Sequence, residues 1–309
     1  MTTTATPVTA PPPTAAPRRR RRSLRRSQHI AGLVFALPVI ILEFVLLAIP
    51  IGQAVYYSLQ RWDGIQSTWV GINNYQRLFS DPNFWRVVLN NMILLAAVPI
   101  AILIPLLVAY LLNEHVLGWR FFRSAYFLPT AISWVIIGMV AIRVFAVDGI
   151  LDQILRAVGF NVTTDLLSGD YGAMLAVAIV FIWSVFGTNT IIFITGMATL
   201  DREVYEAARV DGATAFTTFR KITIPMLMRF IQFAFILTLI TGFTALFSLI
   251  FIMTGGGPGF GSTTLEFYVY QQGFKVGAFG YAAAIGVVLF VVVFFISVAQ
   301  LRLFRSRLD

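Results

Sequence analysis

The chain has 309 residues, 58% of them hydrophobic and 12% charged, against roughly 45–50% and 25% in a soluble domain, so water is not its main solvent. It contains no cysteine and only His29 and His115 as imidazoles, which excludes disulfides, iron–sulfur clusters and thiolate sites and leaves no metal site. The net charge of +9 is concentrated in an N-terminal tail and in loop flanks, which suits anionic lipid headgroups and not nucleic acid.

Residues 1–28 run from a Thr-, Pro- and Ala-rich start into Arg18 to Arg22, Arg25 and Arg26. Such a segment cannot bury a core and is expected to be a disordered basic tail. The apolar run behind it is too long for the h-region of a cleaved leader and lacks a small-residue cleavage site, so it reads as a retained anchor. A hydrocarbon core of about 30 Å takes about 20 apolar residues at about 1.5 Å each. Six such runs follow, at about 30–57, 87–112, 124–144, 171–197, 230–253 and 280–301. They are apolar all round, whereas the strands of a membrane barrel alternate over about ten residues. The expected fold is therefore an all-α polytopic membrane protein, with six transmembrane helices in residues 29–309.

Basic residues favour the cytoplasmic side. With the N-terminus inside, roughly 17 Lys or Arg fall there and 6 outside. This orientation puts both termini and the segment 201–225 in the cytoplasm, in a multi-pass protein of the cytoplasmic membrane. Glu43, well inside the first run, would cost about 2.5–3.5 kcal/mol as a lipid-exposed carboxylate, so it is expected to be hydrogen-bonded, protonated or functional.

Between the fourth and fifth runs lies a polar segment with helical chemistry. Asp201 is a candidate N-cap, and Val204, Ala207, Ala208 and Val210 approximate one face. Gly212 can end that helix, Thr214 can cap a second one, and Phe216, Phe219 and Ile222 would share its apolar face. Pro225 stops or kinks the chain as it returns to the membrane. On residue chemistry alone, an amphipathic knob lying on the membrane surface is the simplest account.

Glu206-Ala207-Ala208, Gly212 and Ile222-Thr223-Ile224-Pro225 resemble the EAA motif of permease subunits of binding-protein-dependent ABC importers, with Ile224 where the family pattern has Leu. Further matches point to the carbohydrate-uptake members, of the maltose and glycerol-phosphate permease type: Val70 to Tyr75, Asp81-Pro82, Arg123 to Pro129, and Thr254-Gly255-Gly256-Gly257-Pro258-Gly259 with Ser262 to Thr264. The resemblance implies a type-I transmembrane domain with its core at about 86–301. It also implies that Glu206, Ala207, Ala208, Gly212, Ile222 and Pro225 couple the chain to an ATPase. The partners implied are a homologous second permease, two ATP-binding subunits and an extracytoplasmic solute-binding protein. By the same likeness Trp183, Thr188, Asn189, Thr241, Gly242 and Ala245 stand near the substrate pathway. The solute would be a sugar, oligosaccharide or glycerol phosphate.

Gly256 to Thr263 nearly fits a phosphate-binding loop, but Ser262 stands where that loop needs Lys, so a turn is the better reading. No enzyme activity and no cofactor are therefore expected in this chain, and ATP and Mg would be handled by the partner. A secondary transporter would need inverted repeats and buried ion ligands. A membrane-embedded enzyme would need clustered acids, whereas Asp148, Asp152, Asp165 and Asp170 look dispersed and unpartnered in the sequence. The Gly and Ala run from Gly277 to Gly286 is expected to serve close helix packing.

Overall fold

A computed structural model of the chain describes residues 32, 34–113, 128–160 and 164–305. The expected tail 1–28, the start of the third expected helix with Arg123 to Phe127, and residues 306–309 lie outside them. Met1–Gln53 and Ala54–Asp309 form separate contact units. Within the first, the described residues from Val34 onward open helix α1 (Val34–Ser58). Its large apolar side chains from Val34 to Leu47 are exposed, Glu43 is exposed with them, and a π-helical stretch occupies Phe44–Ala48.

In the second unit, α1 ends in a two-stranded antiparallel hairpin of β1 (Gln60–Trp62) and β2 (Ser67–Trp69), with Arg61 opposite Thr68. The Asp63 carboxylate accepts the amides of Ile65 and Gln66 at 2.9 and 2.7 Å, closing the turn as an Asx motif does. Helix α2 (Asn73–Ser80) follows, then α3 (Pro82–Asn113). The second expected helix thus begins at Pro82 and not at Val87. Pro suits the first helical position, and Asp81 accepts the Asn83 amide at 2.9 Å. At 1.5 Å per residue α3 is about 48 Å long, so it projects beyond an apolar core of about 30 Å.

Helix α4 (Trp134–Phe145) is N-capped by Ser133. It turns by 40° into α5 (Ile150–Ala157), a second helix in what the sequence presented as loop. The loop acids there are partnered: Asp152 is buried and accepts from the Asp148 amide and from Thr164, Asp148 pairs with Arg156, and Asp165 accepts the Ser168 amide. Helix α6 (Gly172–Met197) matches the fourth expected span. The polar segment forms α7 (Arg202–Val210) and α8 (Ala215–Met226), and α8 bends by 73° into α9 (Met228–Thr244).

The fifth run, expected as one helix over 230–253, is broken. Helix α9 stops at Thr244, and a short α10 (Phe247–Met253) follows. Two causes are visible. The hydroxyls of Thr241 and Thr244 bond back to the carbonyls of Leu237 and Ile240, each at 2.8 Å, a habit that weakens and bends helices. The Leu246 amide then finds a carboxylate oxygen of Glu266 at 3.1 Å, an alternative to the helical ladder. Glu266 belongs to α11 (Leu265–Tyr270), and α12 (Phe279–Arg305) closes the chain.

Four helices among the described residues are long and apolar enough to cross a membrane, and up to six spans result when each bent pair is one crossing. The main core lies where α3 packs along α6, joined by α4, α9 and α10, around Leu94, Phe181, Phe193 and Leu249. A smaller cluster of Leu78, Phe84, Leu265, Tyr268 and Tyr281 ties α2, α3, α11 and α12 together. The glycine run near α12 only partly does what was expected of it. A Cβ at Gly280 would lie 2.0 Å from the Gln60 carbonyl oxygen, so this glycine admits the β1 backbone and not a helix, while Gly286 meets nothing within 4 Å.

Candidate functional site

Two regions hold the residues singled out by sequence. The first is a cavity of about 240 Å³ walled by α4, α6 and α9, with Pro129, Thr130 and Ile132 before α4. Its polar rim consists of Thr130, Ser184, Thr188, Asn189, Thr238 and Thr241, and Trp134 adds an aromatic wall. Asn189 is buried, and its Nδ2 donates to the Ala101 carbonyl at 2.8 Å and to Thr238 Oγ1 at 3.0 Å. The side-chain amide thus ties α6 to α3 and α9, which leaves it little freedom to meet a solute. Ser184 and Thr241 donate to the carbonyls of Val180 and Leu237, at 2.7 and 2.8 Å, so each hydroxyl keeps its oxygen as an acceptor.

Of the six expected pathway residues, the structure brings Thr188, Asn189 and Thr241 together at this cavity. The other three lie elsewhere. Trp183 borders a separate apolar recess with Val140, Phe145 and Ile179. Gly242 is buried where a Cβ would come within 3.1 Å of the Phe181 ring, so it serves helix packing. Ala245 sits at the break after α9, with φ −130°. Sequence reading missed Thr130, Ser184 and Thr238. Ser184 and Thr238 could have been found from helical spacing, since 184 and 188 on one helix and 238 and 241 on the other share faces.

The second region is the knob formed by α7 and α8. Asp201 caps α7 by accepting the Glu203 amide at 3.0 Å. At the other end the Gly212 amide reaches the Arg209 carbonyl at 3.1 Å and the Ala213 amide reaches that of Ala208 at 2.9 Å. These are the two bonds of a Schellman ending, and Gly212 adopts the positive φ of 75° that it requires. Thr214 caps α8 through the Thr217 amide at 3.2 Å. The knob is tied to the membrane helices by Tyr110 of α3, whose hydroxyl meets the Ala215 carbonyl at 3.3 Å and whose ring lies 5.0 Å from that of Phe219.

The apolar faces differ from expectation. Ala208 is the buried residue of α7, whereas Glu206, Ala207, Val204 and Val210 are exposed, Val210 at 87%. In α8, Phe216 is 70% exposed, while Phe219 and Ile222 are half-buried. A π-helical turn at Phe219–Thr223 changes the number of residues per turn, so the spacing that would align all three does not hold. That turn comes just before Pro225, which cannot donate to the helical ladder, and the chain bends at Leu227. Pro225 and Glu206 both face outward.

The Gly-rich turn after α10 is closed on itself. The Ser262 hydroxyl lies within hydrogen-bond distance of Thr254 Oγ1 at 2.7 Å and of the Gly257 carbonyl at 2.8 Å, and Thr263 donates to that of Gly256 at 2.8 Å. The amides of Gly256, Gly257, Gly261, Ser262 and Thr263 all have partners within the turn. A phosphate-binding loop presents such amides free, so this turn is structural. Asn90 of α3 fastens it by donating to the carbonyls of Phe260 and Thr263, both at 2.8 Å. Nearby, Tyr268 and Tyr281 donate to Asp81 at 2.8 and 3.3 Å. Burial, with the Asp81 carboxylate adding to it, holds the Tyr268 phenol above its ordinary range, so it remains a donor.

Comparison with known proteins agrees with this geometry. Residues 80–308 match the family described as binding-protein-dependent transport system inner membrane component. The multiple sugar-binding transport system permease protein MsmF of Streptococcus mutans is 33% identical, over 89% of this chain and 95% of its own length. The lactose transport system permease protein LacF of Rhizobium radiobacter is 32% identical, over 92% and 97%. Among solved structures, a bacterial ABC transporter involved in import of the acidic polysaccharide alginate superposes with a TM-score of 0.76 at 21% identity, covering 93% of this chain and 99% of that one. A second structure of a bacterial alginate ABC transporter, in complex with an alginate pentasaccharide-bound periplasmic protein, also gives 0.76. With the family matched over most of its length and the type-I importer fold of its transmembrane helices, the chain belongs to the binding-protein-dependent transport system inner membrane components.

Proposed function

We propose that this chain is a permease subunit of an ATP-driven importer that moves a sugar, oligosaccharide or glycerol-phosphate-type solute inward. In this reading the knob faces the cytoplasm and couples to a separate ATPase. Continuity carries the proposal: α8 of the knob runs through the bend at Leu227 into α9, and α9 supplies Leu237, Thr238 and Thr241 to the cavity. A displacement of the knob is therefore a displacement of one cavity wall. Coupling requires a partner groove that prefers different knob positions in its two states.

The exposed Glu206, Val210 and Phe216 give such a groove one charge and two apolar anchors to hold. The carbohydrate class is supported by the names of the relatives and by a cavity rim of hydroxyls with one indole, which suits the polar edges and apolar face of a sugar ring. A volume of about 240 Å³ is below the usual range for drug-sized pockets, so the cavity fits a small solute or one unit of a longer one. In this reading ATP and Mg are handled by two ATP-binding subunits. A homologous second permease and an extracytoplasmic solute-binding protein complete the assembly. The excess of Arg and Lys on the knob side supports cytoplasmic termini.

The test uses the assembled importer in vesicles, with a panel of labelled mono- and oligosaccharides. Glu206→Lys or Gly212→Val is expected to leave the protein inserted and ATP hydrolysis measurable, while uptake falls at least tenfold. Normal uptake in either variant would remove the coupling role.

A further inference from the structure

The break in the fifth run lies between two differently anchored pieces. On one side α9 packs against α3 and α6, and on the other α10 packs on α4, where a Cβ at Gly138 would come within 3.2 Å of Ile252. The cavity is walled by both groups, with Trp134 and Ile137 from α4 and Leu237, Thr238 and Thr241 from α9. Any rotation of α9 against α10 therefore changes its width. At the joint, the first amides of α10 have no partner within their own helix, as at every helix start. No side chain of α10 or of the adjoining residues caps them. Glu266 does so from α11: its carboxylate accepts the Leu246 amide at 3.1 Å, and the Phe247 amide adds to the field that favours its charged form.

We propose that Glu266 is a positioning residue for transport, which fixes α10 by capping it from α11 so that α9 swings at Ala245–Leu246 and alters the cavity. The inference rests on the importer reading above, because the swing is what the knob would drive. It assigns a purpose to an acid that the family-like motifs around it do not explain. A hinge works only when one side is held, and a charged acceptor on a backbone amide is a stronger hold than a neutral contact.

The state of Glu266 can also be read. Helix α11 lies between the spans, and burial pushes the Glu266 carboxyl up to about 7, opposed by the amides of Leu246 and Phe247. No charged neighbour enters that balance. Helix α10 carries no ionisable side chain, and the charged residue of α9, Arg229, sits at its opposite end. Lys275 lies 5.8 Å from the ring centres of Phe267 and Tyr270. Tyr268 and Tyr281 are engaged with Asp81. On α3, Arg86 lies over Tyr171 and reaches the Asp170 carbonyl. On α4, Arg143 is exposed at the helix end away from Trp134. The cap is therefore mostly protonated at pH 6 and mostly ionised, hence strongest, at pH 8.

The chain has no cysteine of its own, so spin labels at Ile136→Cys on α4 and Ile240→Cys on α9 report the distance across the joint in the assembled importer. With ATP as the probe, the wild-type distance is expected to shift, by at least twofold more at pH 8 than at pH 6. Glu266→Gln keeps the size and one acceptor, and should shift equally at both values. Glu266→Ala should broaden the distances before ATP is added and lose at least half of the shift. A wild-type pH profile in Glu266→Gln, or wild-type distances in Glu266→Ala, would overturn the proposal. So would failure of both variants to assemble, which would make Glu266 a packing group. No ATP-driven shift in the wild type would overturn the importer coupling together with the swing, whereas a full shift kept in Glu266→Ala removes the role of Glu266 alone.

Discussion

The knob at 201–226 and the turn at 254–264 flank the same broken helix, and they solve the problem of ordering a loop in opposite ways. The knob satisfies its backbone with short-range devices, Asp201, Thr214 and the Gly212 ending, and leaves Glu206, Val210 and Phe216 facing outward. The turn buries Ser262, Thr263 and Thr264 and is fastened by Asn90 from α3. An element whose side chains are not needed for its own folding is free to present them to another molecule. An element held by tertiary bonds has spent its polar groups on the fold. Substitutions in the turn and its surroundings should therefore read out as stability, and those in the knob as uptake.

Gly280→Val should have the largest effect. Its first new carbon would overlap the Gln60 carbonyl at 2.0 Å, and backbone cannot step aside as a side chain can. Overpacking ordinarily costs about 1–3 kcal/mol, and about 3 kcal/mol or more is expected here. Thermal unfolding in detergent, with the yield of folded protein, measures it. Next comes Asn90→Leu, which leaves the Phe260 and Thr263 carbonyls without their donor. Each orphaned buried group costs about 1–3 kcal/mol. The substitution also removes a buried Asn90 Oδ1 that has no partner among the described residues, so the net loss should be about 2 kcal/mol. Uptake per folded molecule should stay near wild type, and a selective loss of uptake would break the contrast between the two regions.

The sequence made the spans, the knob and its caps legible because apolar runs, Asp, Thr and Gly act through neighbours a few residues away. What it hid depends on distant partners. One of the two causes of the break, the Thr241 and Thr244 hydroxyls, is local, but the other needs Glu266, twenty residues beyond Leu246, to accept the Leu246 amide. The purpose of Gly280 depends on β1, near the other end of the chain. Asp148 and Asp152 looked unpartnered because Arg156 and Thr164 approach them only after α5 forms. In the cavity, Thr188 and Thr241 were legible, and Thr130, Ser184 and Thr238 were not. The resemblance puts Asn189 near the pathway, and its bonds to Ala101 and Thr238 tie α6 to α3 and α9.

Within the knob, Gly212→Ala tests the contrast from the other side. A Cβ there would meet nothing within 4 Å, yet φ is 75°, so the cost is the backbone strain of a left-handed residue, about 1–2 kcal/mol. Because α7 is largely exposed, this should appear as faster amide exchange between Arg209 and Ala213, with the melting temperature of the whole protein little changed and uptake reduced several-fold.

Thr214→Ala should be the mildest of the series. Losing an N-cap costs about 1 kcal/mol, and here it frees one amide, that of Thr217. One kcal/mol corresponds to about a fivefold rise in local opening, which amide exchange at Thr217 can resolve. Thr214→Ser keeps the accepting oxygen and should exchange as wild type does. If the alanine variant instead lowers the melting temperature as much as Asn90→Leu, the knob is cooperative with the membrane helices. Its ties through Tyr110 to Ala215 and Phe219 would then be structural supports first, and the knob could not move as a unit apart from α3.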